Sequence, residues 1–200
     1  MSQLTLPTLV TLLRLLAVPL VILGLSIKLW SPWWTLSFFC GAAWTDWLDG
    51  YLARRLNQET DLGRFLDPLV DKLLVLGPMM ALIERGILPA WGVFLIVARD
   101  LIISGWRVNQ PTVSGANQWG KLKTVVQLSA IAGLLIPTQL SLSLDASVLN
   151  EIEPHWILVM LNQTGMWLFW ISLPLTVFSA LIYLWPSITG ATKGRPQGEE

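Results

Sequence analysis

The sequence predicts an all-α integral membrane protein with six transmembrane helices. Three observations carry that prediction. Of the 200 residues, 54% are hydrophobic and only 13% are charged, against roughly 25% charged in an ordinary soluble domain. Mean hydropathy is +0.59. The apolar residues also fall into six runs, each near the ~20 residues that cross a hydrocarbon core.

The first run, 8–29, is a retained span rather than a removable leader. Arg14 is its only early positive charge, and no small-residue cleavage site follows LVILGLSIKLW. The second, 33–56, is apolar only from Trp33 to Trp44 and then meets Asp46. The third, 66–84, becomes apolar after Lys72. Both therefore need their polar turns to complete a crossing. The remaining spans are 88–107, 122–144 and 165–186, with an acidic loop at 145–164 that contains His155. Trp30, Trp33, Trp34, Trp91, Trp167 and Trp185 stand near span ends, as in an interfacial aromatic belt. Residues 1–190 form a single membrane-embedded domain and 191–200 a disordered tail.

Arg14, Arg54, Arg55, Arg64, Arg107, Lys121, Lys123, Lys193 and Arg195 fall on one side, and Lys28 and Arg85 on the other. The positive-inside rule places the first side, with both termini, in the cytoplasm of a bacterial-type plasma membrane. Net charge is zero, so nothing points to nucleic acid. Cys40 stands alone and excludes an intrachain disulfide. One histidine with no second His or Cys nearby makes no zinc site.

The chemistry lies in TDWLDGYLARRLNQETDLGRFLDPLVDK, residues 45–72. Asp46 and Asp49 are three apart, and Asp67 and Asp71 four apart, so each pair shares a helix face. Both pairs lie at the cytoplasmic ends of their spans. A loop of about nine residues makes the two spans antiparallel neighbours, so the four acids converge. Acids at membrane depth mark function by default. Bare, they repel; protonation, basic partners or metal ions resolve this. Hard oxygens without His or Cys select Mg²⁺, Mn²⁺ or Ca²⁺. Two such ions suit a diphosphate and an in-line displacement at phosphorus. Gly50 lets a ligand approach the helix, Ala53 is small, Gly63 bends the chain into the third span, and Arg54 can pair with phosphate. Read alone, the acids also fit a salt-bridge network with Arg54, Arg55, Arg64 and Lys72.

The spacing D-x2-D-G-x2-A-R-x8-G-x3-D-x3-D is filled by Asp46, Asp49, Gly50, Ala53, Arg54, Gly63, Asp67 and Asp71. It resembles the signature of the CDP-alcohol phosphatidyltransferase family at every fixed position. The resemblance implies a six-helix membrane enzyme, usually a homodimer, that transfers a phosphatidyl group from CDP-diacylglycerol to an alcohol and releases CMP. It implies that the four aspartates bind two divalent ions, Mg²⁺ or Mn²⁺. It assigns Asp71 as general base and Gly50, Ala53 and Arg54 to the CDP-binding surface. Read from position alone, Gly63 and Arg14, the latter reaching CDP or lipid phosphate, are further candidate contacts to CDP-diacylglycerol.

LPTLVTLLR (6–14), VARDLIISGWR (97–107) and GKLKT (120–124) are similar to the branch that makes phosphatidylglycerophosphate, whose acceptor is glycerol 3-phosphate. Thr8 stands where the family commonly has Asn, and Asp100 where it commonly has Glu; the second change shortens an acid and keeps its charge. Independently, Arg99, Arg107, Lys121 and Lys123 supply the basic residues that an acceptor phosphate requires. Other acceptors, inositol phosphate or phosphatidylglycerol, use the same chemistry. A non-catalytic divalent-cation or lipid-binding membrane protein is the reading from a different class. Transport, however, wants acids along a crossing path, and here they gather at one face.

Overall fold

Among the described residues of the computed structural model, the six apolar runs form six helices: α1 (Leu6–Ser26), α2 (Pro32–Leu56), α3 (Asp61–Glu84), α4 (Ala90–Asn109), α5 (Gln118–Ser143) and α6 (His155–Ile188). The structure describes the backbone of residues 6–27, 31–56, 61–109, 118–143 and 155–188. Within these, the side chains of 6–8, 46–65, 67, 106–109, 118–119, 142–143, 155 and 183–188 are outside the described set. So are Trp30, Lys28, the acidic residues of 145–153 and the tail.

Three helices begin four or more residues earlier than hydropathy places them. Apolar runs mark the part of a helix that meets lipid, whereas the helix itself continues through polar first turns. Thus α3 starts at Asp61 rather than 66, and α5 at Gln118 rather than 122. Four residues, 57–60, separate α2 from α3 instead of about nine, and Gly63 lies inside α3 rather than at a bend before it. The largest correction is α6. His155 heads this helix, and the 155–164 stretch expected in a loop is helical. Asn162, Gln163 and Thr164 are exposed, while Gly165 is buried where its missing Cβ would come 2.8 Å from Leu134 Cγ. At ~1.5 Å per residue, 34 residues run about 51 Å. Trp167 is therefore an outward-facing residue of the helix interior, not an end marker.

Burial follows the helical period. On α1, Thr11, Arg14, Val18, Val21 and Leu25 face inward, while Leu9, Leu13, Leu16 and Leu23 face outward. Lys123, Gln127, Ile131, Leu134 and Thr138 make the same stripe on α5. One hydrophobic cluster draws on every helix, with Val21, Phe39, Leu82, Ile96, Leu134 and Phe169 among its members. Outside, Trp33, Phe94, Leu101, Val125 and Leu181 stay exposed. Polar groups inside and large apolar groups outside are the arrangement lipid demands. Among the described residues, three helices are long and apolar enough to cross a membrane by composition alone, through Leu9–Ser26, Gly120–Ser141 and Trp156–Ile182. The other three, α2, α3 and α4, carry more charged residues along their length, among them the four aspartates, Lys72, Arg99 and Asp100.

The α3–α4 connection is a tight Schellman turn. Gly86 takes a φ of 69°, Ile87 N–H donates to Leu82 O at 3.0 Å, and Gly86 N–H to Ile83 O at 2.8 Å. A different constraint sets the other helices. Among the described residues, α2 and α3 touch each other only sparingly, and each instead packs along α1. The expectation that α2 and α3 are direct neighbours is corrected to that extent. At the α1–α3 crossing, a Cβ on Gly77 would meet Val18 Cγ1 at 2.7 Å. Val18 is β-branched and stiff, so it cannot swing away.

Gly77→Val should therefore separate α1 from α3, at a cost of about 1–3 kcal/mol. Gly41, on the exposed side of α2, has nothing within 4 Å of its Cβ position, and Gly41→Ala should be neutral or slightly stabilising. Thermal unfolding of both variants in detergent measures the contrast.

Candidate active site

Backbone register places the two aspartate pairs first. Asp46 lies ten residues before the end of α2, and Asp71 ten residues after the start of α3. At ~1.5 Å per residue each stands about 15 Å along its helix from the 57–60 connection. Asp49 and Asp67 stand nearer to that connection on the same two helices. The side chains of Asp46, Asp49, Asp67, Arg54 and Ala53 lie outside the described residues, as does that of Arg107 on α4. Gly50 is on α2 between the acids and Arg54, and Gly63 is in the first turn of α3. Among the described residues alone, no three metal-binding side chains cluster. The donor set is what tests the fit to a metal. Four carboxylates, with no His or Cys among them, match hard divalent cations such as Mg²⁺ and Mn²⁺.

Asp71 is the described member of the quartet, and α1 fixes it. Arg14 Nη1 donates to Asp71 Oδ1 at 2.7 Å. The arginine side chain is 0% exposed and the aspartate 45%. The pair joins the buried polar end of α1 to the acid-bearing end of α3. One edge of the carboxylate thus rests on a buried cation, while the group remains open to a ligand. The contact first expected for Arg14, a substrate phosphate, is at least partly taken by a protein acid.

A second group of charges joins α3, α4 and α5. Asp100 Oδ1 accepts from Arg99 Nη1 at 3.0 Å and from Lys123 Nζ at 2.5 Å. Lys123 is buried, at 2% exposure. Ser104 Oγ, one turn beyond Asp100, donates to the Asp100 carbonyl at 2.7 Å and accepts a short hydrogen bond from Lys72 Nζ. Lys121 is exposed, two residues from Lys123 on α5, and joins no described contact of this group. The structure therefore brings together two of the four expected basic residues, Arg99 and Lys123. It adds Lys72, Ser104 and Asp100, which sequence reasoning assigned no part in binding. Lys72 follows Asp71 directly, and Ser104 lies at i+4 from Asp100; both spacings were readable.

Two buried donors in this region have no hydrogen-bond partner among the described residues, Arg99 Nε and Gln127 Nε2. Gln127 lies one turn beyond Lys123 on the buried face of α5. Orphaned donors beside cations leave the region short of acceptors, which an anionic ligand supplies. The arrangement as a whole has acids on α2 and α3 and an electron-poor cradle on α3, α4 and α5. It can hold a metal-chelating phosphate ester beside a second, anionic reactant.

Comparison with known proteins agrees in kind. The profile described as CDP-alcohol phosphatidyltransferase matches residues 4–178. Over 192 residues the chain is 36% identical to proteins named CDP-diacylglycerol–glycerol-3-phosphate 3-phosphatidyltransferase from Escherichia coli (strain K12), Shigella flexneri serotype 5b (strain 8401) and Shigella sonnei (strain Ss046). Each alignment covers 91% of this chain and 94% of the relative.

The burial asymmetry of the Arg14–Asp71 pair sets the expected cost of breaking it. Asp71→Ala leaves a fully buried guanidinium without this partner. Arg14→Met leaves a carboxylate that water can reach. Asp71→Ala should therefore be the more destabilising, by about 1–3 kcal/mol. Equal shifts of the thermal midpoint in detergent would contradict that order.

Proposed function

The chain belongs to the CDP-alcohol phosphatidyltransferase family, and we propose on that premise that it transfers the phosphatidyl group of CDP-diacylglycerol to glycerol 3-phosphate, giving phosphatidylglycerophosphate and CMP. The observation that carries the reaction is the likeness to enzymes of that name along nearly the whole chain, 36% over 91% of it.

CDP-diacylglycerol keeps its acyl chains in the bilayer and presents its diphosphate to the polar ends of α2 and α3. Gly50, Ala53 and Arg54 form the surface for the cytidine diphosphate. Gly50 allows close approach, and Arg54 offers a bidentate phosphate contact. Asp46, Asp49, Asp67 and Asp71 are the residues that would hold two Mg²⁺ or Mn²⁺ ions. When bound, these ions supply neutralisation of the diphosphate and of the charge that leaves on CMP. Asp71 takes the proton of the primary sn-1 hydroxyl of glycerol 3-phosphate. The alkoxide oxygen forms a bond to the phosphatidyl phosphorus, and the bond from that phosphorus to the CMP oxygen breaks. Arg14 holds Asp71 Oδ1, so the carboxylate meets the hydroxyl in a fixed orientation. Such positioning is the part of catalysis that a rigid helix supplies best.

The acceptor phosphate rests against Arg99 and Lys123, with Arg107 and Lys121 at the rim on the same helices. The positive-inside bias supports six crossings, cytoplasmic termini and a site entered from the cytoplasm. The outward apolar faces leave room for the homodimer usual in the family.

CMP release from CDP-diacylglycerol, assayed with Mg²⁺ or Mn²⁺ and a panel of acceptors, tests the reading. Turnover should require glycerol 3-phosphate, stop on chelation and return when either ion is restored. Full activity in a metal-free preparation removes the carboxylate–metal reading. Turnover with inositol phosphate but not glycerol 3-phosphate moves the chain to another branch.

Asp71→Asn keeps an acceptor for Arg14 and should leave the fold intact. It should lower kcat by about 10²–10⁴-fold. A kcat near that of the unaltered enzyme would give the proton to another group.

A further inference from the structure

Asp100 is an acid in a region that has to attract an anion. It lies on α4 among three cations, Arg99 on its own helix, Lys123 on α5 and Lys72 on α3. A carboxylate there weakens the local field, so its presence needs a physical reason. The geometry gives one. Arg99 Nη1 and Lys123 Nζ meet the same oxygen, Oδ1. Two donors that share one oxygen stand close enough to bind neighbouring oxygens of one phosphate group. Without a common anchor, a buried ammonium and a guanidinium on different helices repel each other and draw apart. Lys123 at 2% exposure has no bulk water to take that anchor's place.

We propose that Asp100 is a positioning residue of the acceptor site. Its carboxylate braces Arg99 and Lys123 at the spacing of a single phosphate, and Ser104 ties the same turn of α4 to Lys72, the residue after Asp71. The inference rests on the reading that Arg99 and Lys123 receive the acceptor's phosphate. Each cation keeps further N–H groups beyond the one that Asp100 engages. The phosphate is therefore bound by the braced pair rather than exchanged for the carboxylate. Arg99 Nε and Gln127 Nε2, buried and without partners among the described residues, are donors in the same region. The tie through Ser104 also sets the phosphate's distance from the proton acceptor. Lys72 and Asp71 are consecutive on α3, so a fixed Lys72–Ser104–Asp100 chain fixes the cation pair relative to Asp71.

The test is a steady-state comparison of Michaelis constants on purified full-length enzyme. Asp100→Asn should raise the KM for glycerol 3-phosphate by about tenfold or more, the loss of one charge-assisted contact. The KM for CDP-diacylglycerol should hold. Asp100→Glu, which restores the charge, should recover most of the loss. A brace that is merely structural shifts both constants together, and that result overturns the proposal. So does a lowered KM for glycerol 3-phosphate, which makes Asp100 a competitor of the phosphate. Arg99→Gln and Lys123→Gln, run alongside, separate the two levels of argument. If neither raises the KM for glycerol 3-phosphate, the acceptor-site reading itself is wrong. If both do and Asp100→Asn does not, only the brace is wrong. Should Asp100→Asn not survive purification, Ser104→Ala removes only the tie. It should raise the same constant by a smaller factor, and an unchanged value overturns the proposal.

Discussion

A guanidinium with no exposed surface lies inside an apolar helical bundle, and much of the site depends on how it is neutralised. Arg14 cannot reach water from its place on α1, so a carboxylate must come to it; Asp71 supplies one at 2.7 Å. The demand is directional. It requires α3 to lie against α1 in one register, with the acid-bearing turn at the level of Arg14. Gly77 permits the approach by leaving Val18 the space that a Cβ would fill. The pair also explains why α1, which carries no part of the aspartate motif, is needed by it. α1 packs along both α2 and α3 and is the common surface against which the two acidic helices are set.

The second charged group obeys the same rule, a buried cation, Lys123, being met by a more exposed acid, Asp100. Here the excess is positive, and Asp100 is the internal anion. A buried ion pair is weak evidence for stability, because desolvation offsets much of its Coulomb gain. What such pairs do well is fix geometry between elements. Asp100 joins α4 to α5, and Lys72 with Ser104 joins α3 to α4. Together with Arg14 and Asp71 these contacts link α1, α3, α4 and α5 through polar groups at one polar end of the bundle. The remaining length of those helices is joined by aliphatic packing around Leu82, Ile96 and Leu134.

The sequence made the acids legible because their spacing is local. Three- and four-residue intervals within one helix need no knowledge of the fold, so Asp46, Asp49, Asp67 and Asp71 could be singled out directly. The partners were not legible, because they are distant in the chain. Arg14 and Asp71 are 57 positions apart, and Lys123 and Asp100 are 23 apart. No periodicity connects such residues; only packing does. Helix number was readable from apolar runs, whereas helix starts were not. Asp61, Gln118 and His155 open helices with turns that hydropathy counts as loop. Asn162, Gln163 and Thr164 look like a break until Gly165 is seen packed against Leu134. The charge at position 100 was readable as an acid in place of the family's usual Glu. That its shorter side chain still reaches two cations was visible only in three dimensions.

Sorting the buried polar residues by where their hydrogen bonds go separates scaffold from site. On α6, Ser172, Thr176 and Ser179 donate to carbonyls of Phe169, Ser172 and Thr176 on their own helix, at 2.7, 2.6 and 3.0 Å. They are satisfied locally and ask nothing of a neighbour, as hydroxyls in membrane helices commonly are. Gln139 reaches across to the carbonyl of Ile27 just past the end of α1, where it serves as an interhelical clasp. The charged residues are different. Arg14 pairs with Asp71, Arg99 and Lys123 pair with Asp100, and Lys72 donates to the Ser104 hydroxyl on α4. A helix bundle in lipid needs no such residues to hold together, since small residues and aliphatic packing suffice. Their concentration on α1, α3, α4 and α5 fits the function proposed above, with a diphosphate on one side and a phosphate-bearing alcohol on the other.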